Sequence, residues 1–241
     1  MDAKRGLITA TLTGVVVTAG FVTGSPASAA TTTETRSVYA SDDAYISSIR
    51  KSTNFGVADK LVVGRSDGET RVSYVKFSTG SLPSGAAVTA AELKLPLESK
   101  PVAARLTVYP VVGAWTEAKV TAATAPALAS AIATISPKAT DTVLRVDLSS
   151  WVKKAGTYSF ALKSASTTDT TRLRSVEYGD PATGGPELAV TYTRTTTTAP
   201  TKAPTTAPTT APTTAPTTAP TTAPTTVPTT APTTAPTTAP T

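Results

Sequence analysis

Arg71–Leu95 reads RVSYVKFSTGSLPSGAAVTAAELKL, and its pattern is strand, turn, strand. Arg71–Phe77 has the β-branched and aromatic content of a strand. Its period of two places Val75 and Phe77 on one face and Val72, Tyr74 and Lys76 on the other. Gly80, Pro83, Ser84 and Gly85 supply the backbone angles a reversal requires. The chain then returns through Val88–Leu97, with Leu93, Leu95 and Leu97 sharing a face. This pair is expected in the middle of an antiparallel sheet, with the remaining strands packed around it.

Working outward, further strand signals fall at Ser37–Ala40, Ala44–Ser48, Lys60–Gly64, Arg105–Val112, Val143–Leu148, Tyr158–Lys163, Arg172–Glu177 and Leu188–Tyr192. Gly, Pro, Asn and Asp punctuate the gaps, the pattern of an all-β sandwich. The architecture expected is a jelly roll of two packed antiparallel sheets. One short helix is expected at Ser149–Ala155, with Ser149 as its cap and Gly156 as its stop. Trp151 is read there as a core residue. Ala122–Ser136, framed by Pro126 and Pro137, reads as a long loop.

The two ends of the chain differ from this domain. Lys4 and Arg5 precede an apolar run, Leu7–Val22, and Ala27-Ser28-Ala29 has the small-residue pattern of a cleavage site, so residues 1–30 read as an export signal. Residues 31–37 read as a linker and 38–194 as the sandwich domain. From Thr195 the chain repeats Ala-Pro-Thr-Thr, interrupted by Lys202 and Val227. Proline at every fourth position removes amide donors and fixes φ, so residues 195–241 read as a disordered, extended spacer. At polyproline rise it reaches on the order of 140 Å. Its Thr and Pro density suits either O-glycosylation or a plain linker. A spacer that joins nothing further suggests a tail lying in the cell envelope, or a further domain missing after it. The location expected is extracellular, in association with the cell wall.

Composition excludes much chemistry. Among 241 residues there is neither cysteine nor histidine, and 5% are aromatic. Disulfides, thiolate nucleophiles, Ser-His-Asp arrangements and His- or Cys-ligated metals are all ruled out. The leader contributes +1 (Lys4, Arg5, Asp2) and the tail +1 (Lys202), so the formal +6 leaves +4 on the domain. That balance favours anionic partners but is too weak and scattered to argue for nucleic acid. No stretch after the leader is long and apolar enough to anchor the chain in a membrane.

Four constellations could carry function. Asp42 and Asp43 form a solvated turn or offer oxygen ligands to a structural calcium ion, the one cofactor considered; none is otherwise expected. In Arg172-Leu173-Arg174-Ser175-Val176-Glu177, the two arginines share a strand face, a donor pair suited to carboxylate or sulfate. With Arg65, Arg71 and Lys163 they form a candidate basic patch; the alternative is a set of solubilising surface charges. Glu177, on the face of Leu173, needs a cation, for which Lys76 and Lys163 are the candidates. Lys76 with Glu177 is the structural charge pair expected. Trp115, in Trp115-Thr116-Glu117, reads either as a platform on which a sugar ring stacks or as core. Paired carboxylates drawn from Asp42, Asp43, Glu117, Asp147, Glu177 and Asp180 would suit glycoside hydrolysis, and Tyr with Lys or Arg a lyase, but no spacing indicates either.

Three blocks carry a resemblance. They are Asp43-Ala44-Tyr45-Ile46 with Thr53-Asn54-Phe55-Gly56, then Lys76–Leu95, then Phe160–Glu177 with Pro186–Tyr192; Gly113-Ala114-Trp115-Thr116-Glu117 fits a G-x-W-x-E segment. In order and spacing the chain resembles the DNRLRE-type module, classed as carbohydrate-binding module family 96 and found on secreted bacterial proteins. It departs from that pattern at Ser175-Val176-Glu177, where the family tends to have Ser-Arg-Glu, and in the Ala-rich Val120–Ala131. The resemblance implies a non-catalytic sandwich that binds polysaccharide, with acidic glycans such as alginate among the targets. A structural or adhesive surface protein, displaying the sandwich on its stalk, is the alternative; a polysaccharide-degrading fragment comes third.

Overall fold

The computed structural model describes residues 28–102, 104–179 and 184–198. The expected export signal therefore lies outside the described residues up to Ala27, as does the repeat tail from Ala199. Twelve strands run in chain order: β1 Ser28–Tyr39, β2 Asp42–Ser47, β3 Lys60–Ser66, β4 Glu69–Ser78, β5 Ala87–Pro96, β6 Leu106–Val112, β7 Ala127–Leu128, β8 Ala133–Ile135, β9 Val143–Asp147, β10 Thr157–Ser164, β11 Thr170–Arg174 and β12 Glu187–Thr198. They form two sheets, one ordered β1-β12-β5-β9 and one ordered β11-β3-β4-β10-β6-β7, with β2 added to β4 and β8 to β6. Every pairing is antiparallel. The two sheets pack as a sandwich, as the strand spacing predicts.

The core sits where the alternation places it. Val75 and Phe77 from β4, Leu93 and Leu95 from β5, and Phe160 and Leu162 from β10 are fully buried between the sheets. Each such side chain contributes roughly 1.5–3 kcal/mol through burial. Asp67 (φ 51°) and Gly68 (φ 76°) form the two-residue reversal between β3 and β4. Positive φ at both positions is what a type I′ hairpin turn demands.

The opposite face of β4 is covered as well. Tyr74 is buried with Ala44, Ala161, Trp115 and Val120 in a second cluster, against which Val111, Ala125 and Leu128 pack. The first part of the Ala-rich segment is thus a lid on the outer face of the larger sheet, while Ile132, Ala133 and Ile135 pack against the main core. The segment carries two short strands, β7 and β8, where an unbroken loop was expected.

Other expectations are corrected by the structure. No helix forms at Ser149–Ala155. The amides of Trp151 and Val152 both donate to the Leu148 carbonyl, each at 2.9 Å, and the turn goes no further. Seven residues are too few to offset the cost of helix nucleation unless packing holds them. Val152 is the residue the turn buries, while Trp151 is 45% exposed. Residues 31–37, expected as a linker, belong to β1, whose pairing with β12 runs from Ser28↔Thr198 to Tyr39↔Glu187. The first residues assigned to the tail, Thr195–Thr198, accordingly lie in β12.

Candidate functional site

Strand β11 positions the paired arginines. Leu173 points into the core and is fully buried, so Arg172 and Arg174 take the outer face. The register with β3 sets Arg172 opposite Val62 and Arg174 opposite Lys60. Lys60 lies between Asp59 and Glu98, 3.5 Å from a carboxylate oxygen of each. No carboxylate among the described residues pairs with Arg172 or Arg174.

The strand ends at Arg174 because Ser175 diverts the chain. Its hydroxyl donates to the Ala58 carbonyl at 2.7 Å and accepts from the Glu177 amide at 3.1 Å. The resulting turn brings the Tyr178 ring to 4.7 Å from the Arg174 guanidinium carbon, a cation–π contact. Glu177 therefore sits half-buried in a turn, not on a strand face beside Leu173.

The free edge of β11 is roofed by the segment that follows β5. Leu97 bridges Leu173, and the Glu98 amide donates to the Arg172 carbonyl at 3.1 Å. Between this segment and residues 139–143 opens a groove of about 810 Å³, lined by Glu98, Lys100, Asp141 and Arg174 among others. The groove is mixed in charge, with Arg174 and Lys100 against Asp141, while Glu98 is engaged by Lys60. Arg172 lies exposed beside it. Open grooves with a few convergent polar groups are where extended ligands bind. Lys60, Lys100, Asp141 and Tyr178 carried no signal of their own in the sequence; register and loop packing bring them to Arg174.

The remaining sequence-derived candidates are dispersed. Arg71 is bound to Glu69 and to the Ser66 hydroxyl, and Arg50 also pairs with Glu69 at 3.1 Å. Burial works against the Glu69 charge, but hydrogen bonds from Ser47 and Arg50 and the charges of Arg71 and Arg50 hold its carboxyl below the ordinary value. Arg65 is exposed at the β3–β4 hairpin. Lys163 on β10 reaches over the Tyr109 ring at 5.3 Å, and β4 and β3 separate β10 from β11 in the sheet. The five cations are thus not one patch; Arg172 and Arg174 are their coherent part.

Trp115 is 7% exposed, so it is core, not a stacking platform. Its ring meets the edge of Tyr74 at 5.8 Å, and Lys76 Nζ lies 4.6 Å above it. Lys76 also donates to the Trp115 carbonyl at 2.5 Å and forms an ion pair with Asp42 at 3.3 Å. Lys76 and Glu177, the expected charge pair, lie on different elements.

The two aspartates hold backbone. Asp42 Oδ1 accepts the Glu117 amide at 3.2 Å, and Asp43 Oδ2 accepts the Val176 amide at 2.8 Å. Among the described residues, no group of three or more His, Cys, Asp or Glu side chains is placed to hold a metal ion. Asn54 Nδ2 donates to the carbonyls of Glu117 and Val120 at 2.6 and 2.8 Å. Much of the signature thus clamps segment 113–121 onto the sheet. Of the six carboxylates considered for catalysis, Asp180 lies outside the described residues. Asp147 is exposed at the end of β9, in the other sheet from Asp42 and Asp43.

The fold is a two-sheet antiparallel sandwich with a clamped lid on one face and an open polar groove at one strand edge. The chain matches the model of carbohydrate-binding module family 96 over residues 34–192 and belongs to that family, whose members bind carbohydrate without a catalytic role. No curated protein matches the chain.

Proposed function

We propose that this protein is a secreted module that binds an acidic polysaccharide at the β11 groove. Arg172 and Arg174 supply charge recognition, and Lys100 assists from the segment that roofs β11. One observation carries the reading: Arg172 and Arg174 share one strand face, Arg174 lines an open groove, and no carboxylate among the described residues pairs with either. A planar guanidinium matches a carboxylate or sulfate with two parallel hydrogen bonds. The Tyr178 ring beneath Arg174 restricts that side chain, so less conformational freedom is lost on binding. The leader pattern at residues 1–30 supports export, and the Ala-Pro-Thr-Thr repeat suits a spacer in the cell envelope.

The test is retention of the full chain on immobilised acidic and neutral polysaccharides at low and at high salt. Retention on an acidic glycan is expected to fall as salt rises and to disappear in the Arg172→Ala/Arg174→Ala variant. Lys163→Ala is expected to bind as the parent does. Undiminished retention of the double variant would move the site away from β11. No retention on any glycan would leave the sandwich as a display unit on its stalk.

A further inference from the structure

The edges of the two sheets are treated unequally. Strand β9, one end of the smaller sheet, has five residues and carries exposed Arg145 and Asp147. At the ends of the larger sheet, β7 and β8 have two and three residues, and β11 is roofed by the segment after β5. Short, charged or covered edges are how proteins prevent strand addition. Strand β1 is neither short nor, among the described residues, covered, and its two charges, Glu34 and Arg36, are of opposite sign and so do not bar a second copy of itself. Even counted from Thr31, past the leader, it is a long edge strand to Tyr39 without proline or glycine, rich in threonine, and its register with β12 is unbroken. Beyond the Thr193↔Ala87 pair, β12 has no partner in β5, so the outer part of β1 rests on β12 alone among the described residues. A two-stranded ribbon of this kind is marginally stable unless something is added to it.

The sequence of β1 also has an internal symmetry. Val38 faces the core, so Glu34 and Arg36 share that side and Thr35 takes the other. Both charges are held in place. Glu34 accepts from the Tyr192 hydroxyl at 2.7 Å and pairs with Arg194 at 3.3 Å; Arg36 donates to the Thr79 and Ser81 carbonyls at 3.2 and 2.7 Å. An antiparallel copy of β1 related by a two-fold axis through Thr35 sets each Glu34 opposite Arg36 of the other copy. The same register sets Thr33 opposite Ser37 and Thr32 opposite Val38. Opposite charges directly across a ladder stabilise it, whereas a shift of register brings like charges or none together.

We infer that β1 is a self-pairing edge, through which two copies of this chain join their smaller sheets antiparallel about Thr35. The chain's own repeat tail is a poor occupant, because proline at every fourth residue withholds the amide donors that a ladder needs. A closed two-fold contact of this type uses the edge once on each copy and does not propagate. The inference is independent of the glycan site. Should both hold, the dimer carries two grooves, and a polymeric ligand is gripped at both.

The chain contains no cysteine, so a single introduced thiol reports on this contact alone. In the full chain, Thr35→Cys sets two thiols across the axis, at the 4.5–5.5 Å Cα spacing of opposed residues, within disulfide reach. Thr33→Cys sets its two thiols four residues out of register, about 13 Å apart, beyond that reach. Under mild oxidation Thr35→Cys is expected to form covalent dimer roughly tenfold faster than Thr33→Cys. Thr33→Cys mixed with Ser37→Cys is expected to cross-link as Thr35→Cys does.

Sedimentation of the unmodified chain should show a reversible dimer at about 100 µM, the range of a weak specific contact. Glu34→Lys and Arg36→Glu should each be monomeric alone and associate when mixed. That complementation separates a broken contact from a broken fold. A monomer at all concentrations, or equal cross-linking at 33 and 35, would overturn the inference and leave the edge to a strand from another protein.

Discussion

Replacing Gly56 with alanine tests whether the signature residues are a clamp. A Cβ built on Gly56 would lie 2.5 Å from Glu117 Cγ, 2.6 Å from the Glu117 carbonyl oxygen and 3.0 Å from its carbonyl carbon. A side chain could swing aside, but the backbone carbonyl is fixed by Asn54, which donates to it at 2.6 Å. Room for the methyl therefore has to come from displacing segment 113–121. Overpacking of this kind costs about 1–3 kcal/mol. Loosening the two Asn54 bonds, to Glu117 and Val120, adds about 1 kcal/mol. A destabilisation of about 2–4 kcal/mol follows, which lowers Tm by roughly 5–15 °C for a domain of this size.

Urea unfolding followed by tryptophan fluorescence suits the question, because buried Trp115 lies in the displaced segment. Gly68→Ala is the control. Nothing lies within 4 Å of its added Cβ, so its cost comes from the positive φ alone, about 1 kcal/mol. A Gly56→Ala protein within 0.5 kcal/mol of the parent would refute the clamp, since no other route accommodates the methyl without cost.

Three further outcomes are expected. Lys76→Met removes the cation between Asp42 and the Trp115 carbonyl and should cost about 2–4 kcal/mol in urea unfolding; a loss below 0.5 would show that the pair is solvated. Glu69 has its carboxyl held below the ordinary 4.5, so its contribution to stability is present above that value and lost as pH falls through the lower folded value. Glu69→Gln should therefore be less stable than the parent at neutral pH, with the gap closing in acid; a gap that is constant with pH would exclude the ionised carboxylate as its cause. Trp151→Ala should change stability by less than about 0.5 kcal/mol, whereas Val152→Ala should cost about 2, and a reversal would restore the helix reading in which the tryptophan is buried.

The lesson of the sequence lies in its alternation. Val75 with Phe77, and Leu93 with Leu95, could be assigned to one buried face because the strand period is fixed by backbone geometry. The signature order that placed the chain among carbohydrate-binding modules was legible for the same local reason. The helix at Ser149–Ala155 misled because its cap and stop residues are used elsewhere: the Ser149 hydroxyl bonds the Ala91 backbone and the Gly156 amide donates to the Thr79 hydroxyl, leaving a single turn that buries Val152. Trp115 could not be settled from the sequence, since an aromatic residue after a strand is platform or core according to what folds over it. The Ala-rich segment reads as a long loop between Pro126 and Pro137, yet Ala125 and Leu128 pack with Val120 on the outer face of β4.

Residue chemistry and local period thus determined the class of fold and the family, and set Arg172 and Arg174 on one strand face. Tertiary structure alone decided which cations stand together. Lys60 and Arg174 are 114 residues apart in the chain and opposite one another in the β3–β11 register. Lys163, eleven residues from Arg174, is carried away from it because two strands intervene. Hydrogen-bond register between distant strands sets such distances, and no local pattern of residues encodes it.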